Sequence, residues 1–266
     1  MKRAIVGLML LWSGLSYGFY DYRGEIGWVG LSGSGFALHN GSLFLNPARL
    51  GYNRGPQLGL NWNRWWGVSE LNQVVFSGVY NYRENGFGLM FSSFGKSKLY
   101  LESIISLGYG RKIFNWVSMG GGIEYLYLSM SDEFGATSTI GLDLGLIVNP
   151  RRDLYIGITG KGINRMSIGG DDLSPLLGTA LYFAPVDWYN LTVALEKEEH
   201  RKAFFKMGQE VVLEDLVHLR FGLRGEPTSF IVGAGVNVKG FLFDFTYLGH
   251  PDLGGDLTMG LQYRFK

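Results

Sequence analysis

The sequence has no cysteine, which excludes a disulfide scaffold, thiol chemistry and a lipid anchor carried on cysteine. Beyond its N-terminus it also lacks any apolar run near the roughly 20 residues that a transmembrane helix needs. Net charge is almost absent: 24 Lys and Arg against 23 Asp and Glu leave +1, which argues against nucleic acid as a partner. Proline is scarce, at 7 residues, so little interrupts backbone pairing. What the chain has in abundance is glycine, 41 residues, with 18 Phe, 15 Tyr and 7 Trp. Mean hydropathy of +0.07 is high for a soluble protein and far below that of a helical membrane protein. This is the profile of many strands with polar residues interleaved.

Residues 1–18 read as a signal peptide. Lys2 and Arg3 supply the positive start, residues 5–12 the apolar centre, and Ser16-Tyr17-Gly18 a small-x-small cleavage site. The competing reading is a short buried helix or strand. Export followed by an all-strand chain points to the outer membrane of a Gram-negative type cell.

The closing stretch shows the strand pattern most clearly. Phe241, Phe243, Phe245 and Tyr247 alternate with Leu242, Asp244, Thr246 and Leu248. After a turn-rich loop, Leu257, Met259, Leu261, Tyr263 and Phe265 alternate with Thr258, Gly260, Gln262 and Arg264. Strand side chains point to opposite faces in turn, so this is a hairpin with one greasy face and one polar or small face.

Similar segments follow one another from residue 57: 57–66, 71–82, 86–94, 100–112, 117–129, 137–148, 154–162, 176–184, 189–197, 203–213, 217–225, 229–239, 241–248 and 256–265. About 14 strands of about 10 residues match tilted membrane strands. Connections after even-numbered strands are tight, whereas several after odd-numbered ones are longer, such as 130–136, 163–175 and 249–255. Short turns at one end and longer loops at the other predict an all-β fold, a transmembrane antiparallel up-and-down barrel with both termini on the periplasmic side. Lipid-facing rows include Ile140/Leu142/Leu144/Leu146/Val148 and Phe230/Val232/Ala234/Val236/Val238. Trp62, Trp65, Trp66, Trp116, Trp188, Tyr189, Tyr182 and Tyr263 fall near strand ends, where aromatic girdles sit.

Residues 19–54 break the pattern and are read as a small plug in one end of the barrel that spans 55–266, with a flexible periplasmic tail as the alternative. Pro47 cannot lie inside a paired strand, and Asn46 before it is placed to cap a short helix with Pro47 at its first position. Ser42, Phe44, Asn46, Pro47 and Ala48 are the candidate gating residues.

The inward face carries Glu102, Glu124, Asp143, Glu196, Glu210 and Asp244 beside Lys206, Arg220, Arg224 and Arg264. Charges of both signs point to a structural network of ion pairs in preference to a pore of single-sign selectivity. No nucleophile motif accompanies the four histidines, His39, His200, His218 and His250, so no enzyme is expected, although His218 and Asp244 could approach each other. Asp171-Asp172 lacks further ligands for a metal, and no cofactor is implied. Gly120-Gly121-Gly122 has no helix after it to bind phosphate; it marks a sheet bend or the close approach of the plug.

Two stretches carry a resemblance. Residues 40–50, with Asn46-Pro47-Ala48, resemble the Asn-Pro-Ala segment near the start of FadL-type barrels and their PorV/PorQ relatives. His250-Pro251-Asp252-Leu253-Gly254 followed by Tyr263-Arg264-Phe265 resembles the end of PorV/PorQ-family proteins. Thr258, Gly260, Tyr263 and Phe265 also resemble the β-signal read by the barrel assembly machinery, with Lys266 following the aromatic. The resemblance implies a 14-stranded outer-membrane barrel with an N-terminal plug, in contact with outer-membrane lipid. It implies either a PorV-like role in type IX secretion with protein partners, or a FadL-like channel for long-chain fatty acids or other hydrophobic small molecules. A purely structural barrel with a filled lumen is the third reading.

Overall fold

A computed structural model describes residues 31, 32, 34, 37, 45–52, 55–96, 99–130, 135–199, 201–225 and 228–265. The expected signal peptide, and Ser42, Phe44, His39 and His200, lie outside them.

Among the described residues a 3-10 helix, Pro47–Tyr52, precedes strands that pair in chain order around a sheet. These are β1 (Gln57–Arg64), β2 (Asn72–Tyr82), β3 (Asn85–Lys96), β4 (Tyr100–Phe114), β5 (Val117–Met130), β6 (Ala136–Arg151), β7 (Leu154–Lys161), a short hairpin of β8 (Met166–Ile168) and β9 (Asp171–Leu173), then β10 (Leu176–Val186), β11 (Tyr189–Glu198), β12 (Phe204–Leu213), β13 (Val217–Arg224), β14 (Ser229–Val238), β15 (Phe241–His250) and β16 (Gly254–Arg264). All except β8 and β9 belong to one closed antiparallel barrel of 14 strands, sealed by β1 on β16. Closure removes the unpaired edges that hydrocarbon could not satisfy. The strands and the alternation of tight turns with longer loops match the sequence expectation. The turn Lys239-Gly240 shows how tightly one end is closed: both residues take positive φ, 51° and 90°, the geometry of a two-residue hairpin turn.

Outward residues are apolar all round, for example Leu60, Phe91, Leu107, Leu144, Phe221, Phe230 and Phe243. Trp116 and Trp188 stand exposed at the short-turn end. Two aromatics expected in the girdles face inward instead. Trp65, in the 3-10 helix Trp65–Gly67 that follows β1, is 5% exposed because it keeps the inward parity of Asn61 and Asn63. Its ring packs 4.6 Å from Phe94. Tyr182 shares the parity of buried Ala180 on β10, so its ring meets Tyr155 inside the barrel.

The loop expected at 163–175 holds the β8–β9 hairpin, whose Met166, Ile168 and Leu173 are buried with Met90, Ile104, Leu126 and Leu128 in an apolar cluster. Beside it, β6 outruns β7: their ladder stops at Leu144 and Gly160, although β6 begins at Ala136. The Asn164 side chain stands in for the missing strand. It accepts from the Leu142 amide at 2.9 Å and donates to the Ile140 carbonyl at 2.8 Å.

Candidate functional site: the barrel lumen and its inner segment

Asn46 and Pro47 build the local structure that the sequence predicts. The Asn46 Oδ1 accepts from the Ala48 amide at 3.1 Å, capping the 3-10 helix that Pro47 begins. The helix does not float in the lumen. It lies on the inner wall along a row of glycines, one per strand and directly opposed in register: Gly86 on β3, Gly110 on β4, Gly120 on β5 and Gly145 on β6. A Cβ added at any of them would collide with the segment. The separations would be 2.1 Å from the Leu50 carbonyl oxygen at Gly86 and 2.3 Å from that of Pro47 at Gly110. They would be 2.4 Å from the Pro47 carbonyl carbon at Gly120 and 2.1 Å from Asn46 Oδ1 at Gly145. Four missing side chains therefore carve a seat one backbone wide. At Gly120 the approaching segment is Pro47-Ala48.

Polar side chains hold the two ends and the middle of this seat. Asn81 on β2 donates to the Leu50 carbonyl at 2.8 Å, Ser118 on β5 to that of Ala48 at 2.7 Å, and Thr159 on β7 to that of Leu45 at 2.5 Å. A second anchor lies across the lumen. Leu31 packs on Gly208 of β12, where a Cβ would stand 2.6 Å from the Leu31 Cα, and the Ser32 hydroxyl donates to the Met207 carbonyl at 2.9 Å. Residues 31–32 and 45–52 thus touch two different walls. Tyr52, at the end of the helix, packs edge-on against Tyr155 at 5.7 Å; burial, with Tyr155 adding, pushes its phenol up to about 12, so it stays neutral.

The predicted inward charges gather into three clusters. Lys161 reaches Glu124 at 2.7 Å and Asp143 at 2.9 Å, with Ser106 donating to Glu124. Arg220 bridges Glu210 and Asp244, and Glu210 also takes Asn190 and His218. His218 therefore meets Glu210 and not Asp244, with Arg220 between them. Lys206 pairs with Glu196 at 2.7 Å. Arg224 is half-buried over the Phe204 ring, and Arg264 is exposed at the short-turn end. Glu102 sits apart, bonded to the Tyr100 hydroxyl. Thr258 is buried on the inner face of β16, with Gly260 in line; Tyr263 packs outside on Phe241 at 4.3 Å, and Phe265 follows it.

Lys161 was not among the residues singled out from the sequence, though its parity with Thr159 on β7 marks it as inward. Asn81, Ser118 and Thr159 gave no such signal, since ordinary polar residues on an inner face become anchors for residues 45–50 only through the register.

No protein-family model and no curated protein sequence matches this chain. Solved structures do. The P. putida toluene transporter TodX superposes with a TM-score of 0.70 at 11% identity, covering 91% of this chain and 98% of that one. The Ralstonia pickettii toluene transporter TbuX gives 0.64 at 12%, covering 86% and 95%. A Pseudomonas aeruginosa FadL homologue gives 0.61 at 10%, covering 88% and 96%. At such identities the likeness is one of fold.

Proposed function

We propose that this chain is an outer-membrane channel for small hydrophobic molecules, closed at its periplasmic end by residues 46–52. The observation that carries the reading is the glycine seat. A wall that gives up four side chains to hold a short capped segment, fastened by side-chain hydrogen bonds from Asn81, Ser118 and Thr159 and by those of Asn46, supports reading that segment as a stopper. The short-turn end, where the plug docks, is read as periplasmic. Above that segment the interior holds the apolar cluster of Met90, Ile104, Leu126 and Leu128, packed under the β8–β9 hairpin, surroundings of the kind an apolar solute prefers. The fold neighbours named above are described as toluene transporters and a FadL homologue, which supports transport over a PorV-type secretion role. Thr258, Gly260, Tyr263 and Phe265 are read as the assembly signal of the closing strand.

Two measurements test this. Deleting residues 42–50 should raise the passage of small solutes through proteoliposomes; equal passage overturns the plug. Toluene should bind the detergent-purified barrel by calorimetry, and no binding overturns the hydrophobic-channel reading.

A further inference from the structure

Of the six inward carboxyls predicted from the sequence, five stand against a cation: Glu124 and Asp143 on Lys161, Glu196 on Lys206, Glu210 and Asp244 on Arg220. Glu102 does not. It is 4% exposed, and among the described residues its hydrogen-bond partner is the Tyr100 hydroxyl, with no lysine, arginine or histidine in salt-bridge reach. A buried carboxylate without a counter-charge is costly, and a position that only had to be filled would be cheaper as an apolar side chain.

Its surroundings are aromatic. Register sets Glu102 directly opposite Phe94 on β3 and opposite Leu128 on β5. Phe94 packs 4.6 Å from Trp65 and meets Tyr100 edge-on at 6.5 Å. These residues lie within a few positions of the long-loop ends of β1, β3 and β4. A carboxylate beside several aromatic rings suits an organic cation: the carboxylate supplies a charge-assisted hydrogen bond, and the rings present negative faces to the positive head.

We propose that Glu102, Tyr100, Phe94 and Trp65 form an entry site for a small hydrophobic amine in its protonated form. The proposal rests on the channel reading and narrows its substrate class. Neutral hydrocarbons gain only the rings, and carboxylates meet a like charge at Glu102.

The test compares three probes that share one ring: benzylamine, toluene and benzoate, titrated by calorimetry into the full-length detergent-purified barrel at neutral pH. Benzylamine should bind about tenfold tighter than toluene or better, since one charge-assisted contact is worth at least that factor, and benzoate should bind weakest. Glu102→Gln should bring benzylamine to the level of toluene while leaving toluene binding and heat-modifiable gel mobility unchanged. Phe94→Leu keeps the carboxyl and serves if Glu102→Gln does not fold; it should weaken benzylamine more than toluene. Equal binding of benzylamine and toluene to the native barrel, or a preference that survives both substitutions, overturns the amine site alone. Failure of both probes to bind overturns the channel reading beneath it.

Discussion

Substituting Gly120 with alanine tests the seat most directly. The new Cβ would stand 2.4 Å from the Pro47 carbonyl carbon and 2.5 Å from the Ala48 amide nitrogen. Carbon atoms rest about 3.5–4.0 Å apart, so the wall and the Pro47–Tyr52 segment must separate by about 1 Å or more. Both sides of the clash are backbone, so no flexible side chain can swing away. Ser118 reaches the Ala48 carbonyl at 2.7 Å, and a shift of about 1 Å stretches that bond beyond useful length. If the bonds from Asn81 and Thr159 go with it, three contacts of about 1 kcal/mol each are lost. A total of about 3 kcal/mol raises the undocked population by about a hundredfold. Ala48 is fully buried and the chain has no cysteine, so Ala48→Cys provides a unique thiol hidden by docking. Its reaction with a membrane-impermeant maleimide should accelerate about a hundredfold on adding Gly120→Ala, because labelling follows the open population. The control is next door: a Cβ at Gly121 would meet nothing closer than 3.7 Å, so Gly121→Ala should leave the rate unchanged. Equal rates for the two alanine variants, with the barrel folded, would refute the seat.

Lys161→Met strands Glu124 and Asp143 with no cation between them, so it should destabilise the barrel by about 3–5 kcal/mol, read from urea unfolding in detergent. Arg165→Ala breaks a pair with Glu199 in which the arginine side chain is 74% exposed; the same assay should show a change of no more than about 1 kcal/mol. Asn164→Leu removes the two side-chain bonds on the upper edge of β6 and should speed hydrogen exchange at the Leu142 amide by about 5–30-fold, the equivalent of about 1–2 kcal/mol.

The sequence by itself determined the barrel. Alternation with period two and the spacing of turn residues are local properties, so Phe241 to Tyr247 declare a lipid-facing row without knowledge of any partner. The same locality made the Asn46-Pro47 cap legible, because the capping bond spans only two residues. Parity also placed Glu102, Glu124 and Arg220 inside, and it runs on past the end of β1 to buried Trp65.

What only the tertiary structure decided is which residues meet across strands. Gly86, Gly110 and Gly145 are unremarkable among 41 glycines, and Gly120 carries two readings, until the ladder registers align the four into one seat. Lys161 falls between Glu124 and Asp143, and Glu102 falls among aromatic rings, for the same reason. A slip of one residue in any pairing would turn that strand's side chains to the other face. Register is a property of the closed barrel, and the interior chemistry follows from it.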